Sequence, residues 1–329
     1  MKIAIDVMGG DNAPLEIVKG AVEAADEYLI DIYLVGKSEE IEKILDAKAF
    51  NNPRIHIVNA TEIIENEDSP TIAIRTKKDS SMVVGMKMLK NGEIDAFVSA
   101  GNTGALLAGG LFVVGRIKGI DRPALAPILP GRCGPVMLVD AGANAECKVR
   151  NITQFAMMGE IYFKNVMKYE FPRVGLINIG VEEEKGTEFT KECYKALKES
   201  NKSFVGNIEG RDILEGKVQV VVADGFTGNV VLKVFEGTAM TILKELKIEL
   251  MRSFITKIGA FLSKGAFTLF KKKFDYTEHG GAILIGLNGP VIKAHGSSNA
   301  KAIKNAIRQA IKCVDGKIIE SIKNELEEN

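Results

Sequence analysis

The feature that most limits how this chain can fold is an alternation along its length. Short β-branched runs at 3–8, 32–35, 55–59, 96–99, 136–139, 174–179 and 218–223, several of them almost continuously apolar, are interleaved with stretches of helical apolar spacing at 15–25, 39–45, 80–90, 153–168 and 187–199. Strands that are apolar at nearly every position are covered on both faces, and strands alternating with helices pair in parallel through crossovers. The pattern predicts an α/β fold, a doubly wound, Rossmann-like parallel sheet. No low-complexity linker or repeat divides the chain, so 1–329 reads as a single α/β domain.

After Asn229 the pattern changes. Residues 230–273 contain no convincing strand and read as one long helix or a helical pair. A strand at 282–287, a turn opening on His295 and a helix at 300–313 follow. The simplest arrangement is a helical arm at about 238–275 inserted between core strands.

In an open parallel sheet, ligands bind at the carboxyl ends of strands. Here those ends are rich in small polar residues: DVMGGDNAP from Asp6, SAGNTGA from Ser99, DAGANAE from Asp140, NIGVEEEKG from Asn178 and DGFTGN from Asp224. Glycine lets backbone N–H groups approach a ligand, helix N-termini favour negative charge, and Asn, Ser and Thr add neutral donors. Any one such turn also has structural uses as a cap or bend. Five converging on one sheet edge point to a bound small anion.

The named alternatives fail. No G-x-G-x-x-G follows the first strand, and no P-loop or G-x-S-x-G elbow occurs. His56, His279 and His295 are scattered without metal-ligand spacing, so no metal site is expected. Cys133, Cys147, Cys193 and Cys313 form neither a zinc pattern nor a disulfide framework and read as small buried hydrophobes in a reducing cytosol. Lys+Arg and Asp+Glu are both 43 and Trp is absent, which leaves neither a global field nor stacking platforms for nucleic acid. The chain opens directly on a strand with no signal-peptide pattern. Its longest apolar run, 105–115, falls short of the roughly 20 residues a bilayer needs. A cytoplasmic protein, touching a membrane from one side at most, is expected.

Charged groups among the turns are few. Lys185, just before a helix, can meet a phosphate or be a solvated turn lysine. Asp140 and Asp224 end apolar strands and can serve as base, cap or partner of a donor. His295 can give a proton or be a satisfied core histidine.

Taken in order, DVMGGDNAP, SAGNTGALLA, KGIDRPALAPILP, DAGANAECK, NIGVEEEKG, NIEGRD, DGFTGNVVLK and GLNGPVIKAHGSSNAKAI resemble the PlsX family of phosphate acyltransferases, from Asp6 to Ile303. The resemblance implies an enzyme that moves a long-chain fatty acyl group from acyl carrier protein to inorganic phosphate, giving acyl phosphate and free carrier. It implies an α/β/α sandwich akin to phosphotransacetylases and isopropylmalate dehydrogenase, a homodimer, no cofactor, and delivery of product to a membrane-bound glycerol-3-phosphate acyltransferase. Such chemistry needs positioning and oxyanion stabilisation more than base catalysis. On this reading Lys185 and the turn Thr227, Gly228 and Asn229 hold phosphate, helped by Asn102, Thr103, Gly104, Asn144 and Ser297. His295 or Asp224 assists the proton's movement to the leaving thiol.

In the arm, Met251, Phe254, Ile255, Ile258, Phe261, Leu262, Ala266 and Leu269 recur at spacings of three and four, forming one apolar face. Eight basic side chains, Lys264 among them, against two acidic ones give 244–273 a local charge of +6. Such a face can dip into an anionic bilayer, dock the acidic carrier protein, or lie in a core or dimer interface. Gly259 and Gly265 mark a break, hence a helix–turn–helix tip; the family's membrane association favours the bilayer, and Phe254, Ile258, Phe261, Leu262 and Lys264 form the membrane or carrier contact. Rival functions are a phosphotransacetylase acting on short acyl-CoA and a non-catalytic membrane scaffold for lipid enzymes. The apolar segment 105–114 and the Phe-rich arm favour a long acyl chain over the first.

Overall fold

The computed structural model describes residues 1–47, 52–274 and 280–328. The chain begins with β1 (Lys2–Asp6), α1 (Leu15–Tyr28), β2 (Asp31–Gly36), α2 (Ser38–Ala47), β3 (Ile55–Asn59), α3 (Pro70–Thr76), α4 (Ser81–Lys90), β4 (Ala96–Ser99) and α5 (Thr103–Gly109), which runs into a π-helix, Gly110–Val114. It continues through β5 (Ala124–Ala126), β6 (Ile128–Gly131), β7 (Gly134–Val139), α6 (Val149–Asn165), β8 (Val174–Ile177), α7 (Glu188–Ser200), β9 (Phe204–Ile208), a 3₁₀ turn (Gly210–Glu215) and β10 (Val220–Val222). The last part is α8 (Gly225–Leu250), α9 (Phe254–Leu262), α10 (Lys264–Phe274), β11 (Ala282–Ile285), β12 (Val291–Lys293), α11 (Ala300–Asp315) and α12 (Ile318–Glu328).

The predicted α/β alternation is present, but the strands sort into two sheets rather than along one edge. A seven-stranded sheet has the order β3-β2-β1-β4-β12-β11-β5, and a five-stranded sheet the order β6-β7-β10-β8-β9. Both are parallel at their centres, with β11 antiparallel to its two neighbours and β6 antiparallel to β7. The switch falls at Pro127, where β5 ends in one sheet and β6 starts in the other. The Pro127 carbonyl accepts from Leu138 N–H, while the Leu125 carbonyl accepts from Ala141 N–H. Proline has no N–H to continue a ladder, so it suits a strand that changes sheets. These short, Pro- and Gly-interrupted strands escape a search for long β-branched runs.

One buried cluster joins the sheets. It runs from Ile3, Ile5 and Val98 through Phe155 and Tyr162 of α6 to Met137, Val174 and Val220. The far face of the first sheet packs on α4 and α5 through Phe97, Met82, Met86, Ala105 and Leu106. The apolar segment 105–114 therefore commits Ala105, Leu106 and Val114 to the core rather than to an acyl chain. Phe112 is its exposed exception, with the Arg75 guanidinium 5.6 Å from its ring centre. Cys193 and Cys313 are buried as small hydrophobes, whereas Cys133, in the β6–β7 turn, is exposed.

The arm leaves β10 of one sheet and returns to β11 of the other as three helices, not one helix or a pair. The first break, at 251–253, is fixed by a reciprocal cap: Ser253 Oγ accepts from Thr256 N–H, and Thr256 Oγ1 accepts from Ser253 N–H. The second break is at Ser263, between Gly259 and Gly265, which themselves lie within helices. No residue of α9 is buried, so a core role for it in this chain is excluded. His279 and the end of the expected arm at 275 lie outside the described residues.

Candidate active site

The carboxyl ends of the parallel strands carry the small-polar turns, and much of their chemistry is spent locally. Asn102 caps α5, its Oδ1 accepting from Ala105 N–H at 2.9 Å while its amide donates to the Asn66 carbonyl. Asp224 caps α8, taking both the N–H and the hydroxyl of Thr227 at 2.8 Å. Asp140 is buried, and its carboxylate accepts from the N–H groups of Leu125, Gly142, Ala143 and Asn144 and from the Asn144 amide. Burial pushes the Asp140 carboxyl up while those donors pull it back. Asn144 also donates to the Pro123 carbonyl, so its amide braces the turn. Gly228 lets α8 reach this turn, since a Cβ there would lie 1.9 Å from the Asp140 carbonyl oxygen. Gly104 is likewise a packing glycine, facing Pro70 of α3.

Two groups of sequence-predicted residues result. Asp140, Asn144, Asp224, Thr227, Gly228 and Asn229 cluster at the start of α8, with exposed Asn229 against Gly142. Two carboxylates there set a field that opposes an anion at this helix end, whatever its dipole offers. Thr103, His295 and Ser297 lie on the other side, on the first sheet. Lys185 joins neither; it is exposed on the β8–α7 loop, folded over Gly180, with its carbonyl accepting from Asn178.

A cleft lined by Thr103, Leu125, Leu129, Leu232, Lys233, Glu236, Lys293 and His295 takes in Thr103 and His295 but none of the residues at the start of α8. It forms where the chain crosses between sheets, at β5–β6 and along α8. His295 Nδ1 receives the Ser297 N–H at 3.2 Å and sits 2.8 Å from the Ser297 hydroxyl. Accepting at Nδ1 puts the neutral ring's proton on Nε2. Burial lowers the His295 pKa, opposed by Glu236 and reinforced by Lys293 and Lys233, so the ring is neutral near pH 7. Lys233 is paired with Glu236 at 2.8 Å.

Sequence reasoning missed Lys293, Lys233 and the buried Asp6 as site residues. Lys293 and Asp6 sit inside quoted motifs, but each ends an apolar strand, and only the strand order β1-β4-β12 brings them together. Lys233 also ends a quoted motif, DGFTGNVVLK, and lies in α8. Among the described residues no group of His, Cys, Asp and Glu side chains could hold a metal ion.

A family model described as "Fatty acid synthesis protein" matches residues 1–321. The chain is 54% identical over 327 residues to a phosphate acyltransferase of Clostridium tetani, covering 99% of this chain and 98% of the relative. It is 56% identical over 322 residues to a phosphate acyltransferase of Alkaliphilus oremlandii, covering 98% and 96%. Among solved structures it resembles a phosphotransacetylase from Streptococcus pyogenes with a TM-score of 0.65 at 18% identity, covering 97% and 94% of the two chains. A phosphotransacetylase from Staphylococcus aureus follows at TM-score 0.59 and 13% identity, covering 96% and 94%. At such identities these two likenesses speak for the fold alone.

Proposed function

The chain belongs to the fatty acid synthesis protein family and moves acyl groups onto phosphate in lipid biosynthesis, and from that premise we propose that its donor is a long-chain thioester of acyl carrier protein, used in the cleft between the two sheets. The observation that carries this reading is the meeting of polar and apolar walls. Lys233, Lys293, His295 and Thr103 line the cleft. At Leu129 it adjoins an apolar cavity of about 530 Å³ lined by Val231, Val234, Phe235, Ile242 and Phe270. One wall suits phosphate and a reacting carbonyl, and the other takes a long hydrocarbon chain. A short acyl-CoA would leave the apolar cavity empty, which favours the long-chain donor over the phosphotransacetylase reading.

The step balances without a cofactor. An oxygen of hydrogen phosphate bonds to the thioester carbon, the C–S bond breaks, and the proton phosphate brought leaves on the thiol. The neutral imidazole of His295 offers its Nε2 proton to the tetrahedral oxyanion, a role its lowered pKa suits. Asp224 is occupied with Thr227 and acts as the cap that aims α8 at the cleft. Lys185, on the β8–α7 loop, and Asn229, in the first turn of α8, do not line the cleft, and Asp140 and Asp224 oppose an anion beside Asn229, so their part in holding phosphate rests on the sequence reading and is tested by substitution. Incubating an acyl carrier thioester with phosphate and trapping with hydroxylamine should yield acyl hydroxamate only when phosphate is present; no phosphate dependence would exclude the reaction and leave the scaffold reading. Lys185→Ala and Asn229→Ala, both at exposed positions, should lower the rate by more than about threefold. A smaller change removes them from the site.

The arm is assigned to an anionic membrane surface. Phe254, Ile255, Phe261 and Leu262 are 79%, 81%, 76% and 78% exposed, beside basic side chains. Among the described residues no helix is long and apolar enough to cross a membrane, so contact is from one side. A homodimer, and hand-over of acyl phosphate to a membrane glycerol-3-phosphate acyltransferase, complete the proposal.

A further inference from the structure

Lys293 ends β12, hydrogen-bonded in parallel to β4, and reaches the cleft wall. Its ammonium donates to the Ala100 carbonyl at 3.2 Å and to the Ala294 carbonyl. These bonds use two of its three donors. Lys233, the other lysine lining the cleft, is neutralised by Glu236 at 2.8 Å. Lys293 is instead served by carbonyl dipoles and by the field of Asp6, a buried carboxylate at the end of β1. Asp6 accepts from Ser81 Oγ at 2.6 Å, Ser99 Oγ at 2.7 Å and Met8 N–H at 3.3 Å. Burial raises the Asp6 pKa overall; the bonds from Ser81, Ser99 and Met8 and the charge of Lys293 pull against it and favour the ionised form. A cation largely removed from water is costly unless an anion completes its shell, and this one lines a cavity.

We propose that Lys293 binds the attacking phosphate in the cleft, with Asp6, fixed by Ser81 and Ser99, as the positioning residue that keeps the ammonium charged. The assignment rests on the phosphate acyltransferase reading. Burial brings the Lys293 pKa down to about 8; Asp6 and Asp11 oppose that shift, and Lys233 on α8 adds to it. Phosphate capture needs the protonated form. Activity therefore holds below the Lys293 pKa and falls as pH rises through about 8. Ionised Asp6 raises that pKa, so removing its charge moves the fall to lower pH.

Three measurements on the full chain test this. Lys293→Met should raise KM for phosphate by about 30-fold or more while KM for the thioester stays within about threefold. Asp6→Asn should move the basic limb of the pH–rate profile down by about one unit, which a merely structural loss would not do. An unchanged phosphate KM overturns the role of Lys293, and an unmoved limb that of Asp6. Should either variant fail to fold, the wild-type protein decides. Inorganic phosphate, compared with chloride at equal ionic strength, should slow acetylation of Lys293 by acetic anhydride by about fivefold or more, read by mass spectrometry. Equal labelling overturns the assignment. Protection without hydroxamate formation would instead support the anion site and sink the acyltransferase reading.

Discussion

Gly228→Ala is expected to cut acyl phosphate formation by about 100-fold and to lower Tm by about 5 °C or more. The added carbon would sit 1.9 Å from the Asp140 carbonyl oxygen, a backbone atom with no rotamer to escape into. Asp140 cannot yield, because its N–H donates to the Ala223 carbonyl and its carboxylate gathers the donors of the following turn. So α8 must retreat, and it carries Lys233 and Glu236 into the cleft two turns later. Overpacking of this kind costs about 1–3 kcal/mol or more. Misplacing a reacting geometry by about 1 Å costs about two orders of magnitude in rate. Gly237, in the same helix, has no atom within 4 Å of its added carbon. Gly237→Ala should leave activity unchanged and stabilise the helix by roughly 0.5–1 kcal/mol. Thermal melts and hydroxamate assays on the two variants check this, and equal behaviour would refute the close-packing argument.

The same helix start shows how much could be read from sequence. Alternating apolar runs gave the α/β class because two-sided burial leaves a mark on every residue of a central strand, as in β4 and β10. They could not give the split into two sheets, which depends on three- and four-residue strands around Pro127. The small-polar turns read as anion sites, and they lie at strand ends, though on two sheets rather than one edge. Yet Asn102, Thr187, Asp224 and Asn299 cap helices, and Asn144 and Asp140 brace one turn. Capping and anion binding use the same donors and acceptors, so composition alone cannot tell them apart. The cleft's cations were harder still. Lys293 and Asp6 are 287 positions apart in sequence and feel each other's charge only because β1, β4 and β12 are successive strands of one sheet.

Phe261→Glu should lower binding to anionic vesicles by about 100-fold while leaving turnover of a soluble thioester intact. Burying a phenyl side chain contributes about 1.5–3 kcal/mol, and a carboxylate beside an anionic surface reverses about 1 kcal/mol more. Phe261 is 76% exposed on α9, whose residues are all unburied, so the substitution removes no packing within the chain. The two breaks decide what the arm can do. With caps at Ser253 and a stop at Ser263, α9 is a short helix between two longer ones, and its apolar side chains are presented together. A single long helix would spread the same residues along a rod and bring few of them to a bilayer at once. Basic neighbours such as Lys257 and Lys264 add attraction that salt screens, so wild-type flotation should weaken with ionic strength and be poor on zwitterionic vesicles. Flotation of Phe261→Glu equal to wild type on anionic vesicles would refute membrane contact by α9. An acyl phosphate is prone to hydrolysis, and an enzyme held at the bilayer by α9, as proposed, would release it where a membrane acyltransferase could take it before water does.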